Sequence, residues 1–236
     1  MKTIGTLFIG IVFFLFACST SNSEEITETD LQENPKEIKL YKILSLGDSY
    51  TVGEGVCAAC SFPEQLRTQL QKREDSIDLV SLDIVATTGW TTADLLQGIE
   101  RSNLDPTYDL VTLLIGVNNQ FQGIPISVYE EEFPTLLQKA IFFAGNQKNK
   151  VIVLSIPDYA YTPFLNGDRT TSQEIESYNR FAEDYCNKQN VKFLHVTDIT
   201  QKGLENPSLV AGDGLHPSEK AYQKFVERLL PLVLNQ

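Results

Sequence analysis

Two short runs hold the residue types that could do chemistry: Gly47-Asp48-Ser49-Tyr50-Thr51, at the end of an apolar segment, and Asp213-Gly214-Leu215-His216-Pro217 near the C-terminus. A serine hydroxyl is a poor nucleophile until a histidine takes its proton, and that histidine works best when an acid orients it. The chain has 2 histidines. His216 follows Asp213 closely and precedes a proline that reads as the start of a helix, so one loop can present both side chains to a single point. His195 lies in Lys192-Phe193-Leu194-His195-Val196, which reads as a buried strand and makes this histidine structural. The chemistry these types permit is attack by an activated hydroxyl.

The elements that must position them alternate along the chain. Apolar runs at Tyr41 to Leu46, Leu79 to Ala86, Leu110 to Ile115, Val151 to Ile156 and Val191 to Val196 each have the length of a strand buried on both faces. Helical spacing occupies Phe62 to Arg73, Thr92 to Arg101, Val128 to Gly145, Glu174 to Gln189 and Pro217 to Leu234. Strands separated by helices predict a five-stranded parallel sheet in a three-layer α/β/α sandwich, whose ligands bind at the carboxyl ends of the strands. Gly47-Asp48-Ser49 follows the first strand, Thr88-Gly89-Trp90 the second, Gly116-Val117-Asn118-Asn119 the third and Ile156-Pro157-Asp158 the fourth. Asp213 and His216 follow the fifth, so all of these reach one rim.

These blocks, in this order, resemble those of the GDSL-type esterases of the SGNH hydrolase superfamily, over the span from about Lys42 to the C-terminus. The resemblance implies a flavodoxin-like sandwich, Ser49 as nucleophile, His216 as general base and Asp213 as its orienting acid. It implies an oxyanion hole formed by the backbone N–H groups of Ser49 and Gly89 and the side-chain amide of Asn118. The residues agree with these roles. A serine at a strand-to-helix turn has an exposed oxygen and a free N–H, glycine leaves its N–H open, and an asparagine amide donates without titrating. Thr91 with Asp94 has the spacing to cap the helix that fixes the Gly89 loop. Two positions depart from the family pattern: Tyr50 stands where leucine is familiar, and Asn119 where aspartate is usual. Asn119 is expected to act through loop order, and Asn119→Asp to be tolerated. The Gly-x-Ser-x-Gly elbow of the α/β-hydrolases is absent from the sequence.

The N-terminus reads as an address. Lys2 precedes an apolar run from Ile4 to Phe16, too short to cross a bilayer and fronted like a secretion signal. Leu15-Phe16-Ala17-Cys18-Ser19 resembles a bacterial lipobox, with Phe16 bulkier than usual. The expectation is a lipoprotein signal peptide over 1–17, lipidation of Cys18, an acidic flexible tether over 18–40 and the hydrolase domain over 41–236. Ordinary signal cleavage with a bystander cysteine is the alternative. The expected address is that of an exported, membrane-anchored bacterial lipoprotein. A formal charge of −12 without any Lys/Arg cluster excludes a nucleic-acid partner. In an exported protein, Cys57-Ala-Ala-Cys60 favours a local disulfide, with free thiols or a redox or metal pair as alternatives. Cys186 reads as a small buried apolar residue. No cofactor or metal ligand set is evident.

Two functional readings stand. One is a serine esterase acting on carboxylic esters: short-chain acyl, acetylated carbohydrate or lysophospholipid. The other is a surface-anchored protein that binds acylated glycans or lipids without catalysis. Tyr159-Ala160-Tyr161-Thr162-Pro163-Phe164-Leu165 could wall an acyl pocket or pack as a loop.

Overall fold

The computed structural model describes residues 38–73 and 77–235. The signal segment, Cys18 and nearly all of the tether lie outside these residues. No helix among the described residues is long and apolar enough to cross a membrane.

Five parallel strands form one sheet in the order β2-β1-β3-β4-β5. They are β1 (Leu40–Gly47), β2 (Leu79–Ala86), β3 (Leu110–Leu114), β4 (Val151–Leu154) and β5 (Lys192–Leu194). The chain runs from β1 outward to β2, then returns to place β3 on the other side of β1. That reversal opens a crevice between the carboxyl ends of β1 and β3. The register sets Gly47 level with Ala86 on one side and Leu114 on the other, so the loops that follow these strands start from one rim.

The helices are α1 (Ser49–Val52), α2 (Phe62–Arg73), α3 (Thr92–Arg101), α4 (Val117–Phe121), α5 (Ile126–Phe143), α6 (Arg169–Gln189), α7 (Thr197–Thr200) and α8 (Glu219–Leu234). Right-handed crossovers send α2 to one face of the sheet, where α8 packs on it, and α3, α5 and α6 to the other. The expected three-layer sandwich is therefore the observed one. β3 and β4 are buried at every residue, as apolar runs between two helical layers must be.

β2 corrects the expectation of burial on both faces. It is an edge strand with four exposed or half-exposed positions in its centre, including Asp83, which accepts a hydrogen bond from the Tyr108 hydroxyl at 2.7 Å. A charged side chain on an edge discourages pairing with a further strand. The fifth strand ends at Leu194, so His195 is not in a buried strand. Its side chain is 59% exposed and its Nε2 lies 3.0 Å from Glu183 on the surface.

Side-chain caps account for two helix starts that differ from the sequence reading. Asp168 accepts from the Thr171 N–H and starts α6 five residues before Glu174. Ser218 accepts from the Ala221 N–H and starts α8 after Pro217, which instead pairs with Val210 in an isolated bridge. Each such cap contributes about 1 kcal/mol.

Candidate active site

β1 delivers the serine. Asp48 caps α1 with its side chain, accepting the Tyr50 N–H at 3.0 Å, and Ser49 is the first residue of the helix. Its N–H is among those that an α-helix leaves without an internal partner. Gly47 is required by close approach: a Cβ there would sit 2.4 Å from the Leu114 carbonyl oxygen on β3.

The loop before α8 delivers the other two residues. His216 Nε2 lies 3.1 Å from Ser49 Oγ, and His216 Nδ1 lies 2.7 Å from Asp213 Oδ2. The other carboxylate oxygen, Oδ1, accepts the backbone N–H groups of Leu215 and His216 at 2.9 and 3.0 Å. Burial alone would raise the Asp213 pKa. The two backbone donors and the imidazole outweigh it and hold the carboxyl below its ordinary range. The loop is pinned where Ala211 N–H donates to the His216 carbonyl at 2.7 Å. The Tyr50 ring meets the imidazole edge-on at 5.9 Å, so the residue that departs from the family's leucine packs directly on His216.

The second and third strands deliver the candidate oxyanion donors. Gly89 has φ +86°, a region that disfavours a side chain, and nothing lies within 4 Å of where a Cβ would be, so the space beside its backbone is open. Thr91 and Asp94 form the expected capping box at the start of α3, which fixes this loop. Asn118, on α4, donates from Nδ2 to the Trp90 carbonyl at 2.9 Å. An amide nitrogen carries two hydrogens, so one remains for the cleft. Gln122 Nε2 donates to the Gly89 carbonyl at 3.1 Å, a support that no spacing in the sequence signals.

Asn119 is fully buried and serves a different end. Its Oδ1 accepts the Thr92 N–H at 3.0 Å and its Nδ2 donates to Thr92 Oγ1 at 2.6 Å, while that hydroxyl donates onward to Glu132. It joins α4 to the start of α3. The expectation that aspartate is tolerated here does not survive this arrangement, because a carboxylate would compete with Glu132 for the single hydroxyl proton.

Ser49, Gly89, Asn118 and His216 line one cleft of about 210 Å³, whose remaining walls include Val117, Phe121, Tyr159 and Leu215. The structure thus brings together the five site residues proposed from the sequence, Asp213 standing behind His216. Among the described residues no group of three or more His, Cys, Asp or Glu side chains could hold a metal ion. Cys57 and Cys60 are joined by a disulfide, and Cys186 is a buried free thiol. The disulfide lies just beyond Gly55, where a Cβ would sit 2.6 Å from Asp213 Oδ2, so this linker backs the candidate acid.

Asp48 is wholly buried, and its Oδ2 has no hydrogen-bond partner among the described residues. Burial pushes its carboxyl up to about 7 against the pull of the Tyr50 N–H and its own amide. The folded protein then keeps a proton that the unfolded chain releases. Stability from this group is full below about pH 4, falls as pH rises to about 7 and is level above that. The expected loss is on the order of 4 kcal/mol. Asp48→Asn keeps an acceptor for Tyr50 and should flatten this slope in thermal midpoints measured from about pH 4 to 8. An equal slope in both proteins would place the titration elsewhere.

Comparison with known proteins places the fold. A comparison with curated proteins found no match. Among solved structures, a lipolytic protein of the G-D-S-L family from Veillonella parvula is 20% identical and aligns with a TM-score of 0.63, covering 84% of this chain and 100% of its own. An acetylxylan esterase from Geobacillus stearothermophilus is 19% identical, with a TM-score of 0.61 over 82% of this chain and 94% of its own. A lipase from a goat rumen metagenome is 20% identical, with a TM-score of 0.66 over 81% of this chain and 97% of its own. At these identities the likeness is one of fold. The family is established by sequence: residues 45–224, the greater part of the chain, match the GDSL-like lipase/acylhydrolase family, and the protein therefore belongs to that family and is a carboxylic ester hydrolase.

Proposed function

We propose that the protein is a serine esterase that works through an acyl-enzyme, with Ser49 as nucleophile, His216 as general base and Asp213 as the acid that orients it. The observation that carries this reading is the unbroken relay from Asp213 Oδ2 through the imidazole to Ser49 Oγ, at 2.7 and 3.1 Å. Ser49 Oγ attacks the ester carbonyl while its proton passes to His216 Nε2, and Asp213 stabilises the imidazolium that forms. The N–H groups of Ser49 and Gly89 and the free Nδ2 hydrogen of Asn118 receive the developing oxyanion. Collapse expels the alcohol, which takes the proton from His216. Water then attacks the acyl-Ser49 ester with His216 again as base, releasing the acid and restoring the hydroxyl.

A fluorophosphonate probe tests the reading because it reacts with an activated serine and ignores a passive binding surface. Labelling is expected on Ser49 and should vanish in Ser49→Ala. An unlabelled wild-type protein, or label at another residue, would overturn the assignment.

Candidate substrates follow the family and its structural neighbours: short-chain esters, acetylated carbohydrates of the kind named for the acetylxylan esterase, and lipid esters including lysophospholipid. The N-terminal sequence supports export as a lipoprotein held to a membrane through Cys18, with the acidic segment as tether. Cys18→Ser should leave a protein that stays in the aqueous fraction and hydrolyses soluble esters at an unchanged rate. Loss of hydrolysis in that form would mean the N-terminus contributes to the site.

A further inference from the structure

We propose that the cleft beside Ser49 receives the acyl part of the ester as an extended apolar chain, and that Phe121 and Phe164 are the residues that select it. The proposal rests on the serine-esterase reading above and names its substrate class.

The two rings are 51% and 55% exposed, far more than phenylalanine usually is, and they lie together rather than scattered. Phe121 contacts Phe164 with ring centroids 6.2 Å apart and Tyr159 at 5.9 Å, so three aromatic rings form one continuous ledge. They arrive from separate loops. Phe121 closes α4, one turn beyond Asn118, while Tyr159 and Phe164 lie on the segment that follows β4. The ledge is tied at both flanks. Tyr159 donates from its hydroxyl to Gln120 Oε1 at 2.7 Å, and the Phe164 N–H donates to the Gly214 carbonyl at 3.2 Å, within the loop that carries Asp213 and His216.

The lining of the cleft decides between chemistries. Apart from the groups assigned to the reaction, Val117, Leu215, Phe121, Tyr159 and Tyr50 dominate its walls, and Phe164 extends the apolar surface beyond them through its contact with Phe121. Of the remaining polar side chains, Tyr50 is buried at 3% exposure with its ring against His216, Thr88 spends its hydroxyl proton on Glu54 at 2.6 Å, and Tyr159 spends its own on Gln120. A sugar ring would find a surface to stack on but few free partners for its hydroxyls, and unpaired hydroxyls are costly to bury. An anionic headgroup would approach Glu54. An alkyl chain loses nothing on entering and gains contact with each added methylene. Phe121 lies on α4 one turn beyond the oxyanion donor Asn118, so the ledge begins beside the reacting carbonyl, and the acyl side is the one assigned to it.

The test is kcat/KM for aryl esters from acetyl to decanoyl, beside an acetylated xylooligosaccharide, in the full chain and in Phe121→Ala, Phe164→Ala and the double variant. In the wild-type protein kcat/KM should climb with acyl length. In each single variant the octanoyl-to-acetyl ratio should fall about tenfold, the equivalent of roughly two methylenes leaving apolar contact. Both rings are exposed, so their removal leaves the core intact, and Phe121→Leu should restore part of the ratio. Lengthening the alcohol of an acetate ester should give no such climb. A flat acyl series, a preference for the acetylated oligosaccharide, or a gain that follows the alcohol would each overturn the proposal while hydrolysis itself still supports the esterase reading. Absence of hydrolysis of every ester together with absence of fluorophosphonate labelling would overturn both.

Discussion

Asp213→Asn should lower kcat by about 10³- to 10⁴-fold while the protein remains folded. The asparagine keeps an oxygen for the backbone N–H groups of Leu215 and His216, which now hold Asp213 Oδ1, so the loop keeps its turn. What changes is the group facing His216 Nδ1. In the proposed mechanism the carboxylate oxygen 2.7 Å away accepts the Nδ1 proton, which leaves Nε2 bare toward Ser49 Oγ. An amide NH₂ in that place donates instead, which moves the ring proton to Nε2 and removes the base from the serine. The amide also cannot stabilise an imidazolium. The check is kcat against thermal midpoint: a large loss of kcat with a preserved midpoint is expected. A loss below about tenfold would show that another group orients His216.

The second large effect separates two neighbours. Asn118→Ala should lower kcat roughly 10²- to 10³-fold with little change in KM, because a hydrogen bond to the oxyanion strengthens only as charge develops. Asn119→Ala should act on stability instead. It removes both contacts to Thr92, leaves a buried N–H without its partner and opens a void, a combined cost of about 2 to 4 kcal/mol in unfolding free energy. Its loss in kcat should be much smaller. Asn119→Asp should also destabilise the protein, increasingly as pH rises and a second carboxylate ionises beside the Thr92 hydroxyl that already serves Glu132. Measuring kcat, KM and thermal midpoint for the three variants checks the whole pattern. Equal losses of kcat at both positions would move the oxyanion donor away from Asn118.

The sequence by itself determined the layered fold, because its evidence is periodic and local. Apolar runs such as Leu110 to Ile115 and Val151 to Ile156 have the length of buried strands between helical layers, and the structure forms strands over Leu110–Leu114 and Val151–Leu154, while α2 and α3 occupy the segments their spacing indicates. The order of blocks along the chain carried the family resemblance that pointed to Ser49, Gly89, Asn118, Asp213 and His216, and a parallel sheet, which sends the loop after every strand to one rim, is the reason such blocks can meet. Short elements were not legible. α1, α4 and α7 span four or five residues, too few for a period to register, and they form because the tertiary frame holds them. Strand rank was not legible either. The run Leu79 to Ala86 reads like a central strand, and only the return of the chain to place β3 beside β1 leaves it at an edge. The same is true of His195, whose neighbours are apolar but whose strand stops one residue earlier. Contacts between residues far apart in the chain were decided by the tertiary structure alone: Asn119 on Thr92, Gln122 on Gly89, Tyr50 on His216, and the ledge of Phe121 with Phe164. No local pattern encodes these pairs, because each depends on two loops meeting after the sheet has set their separation.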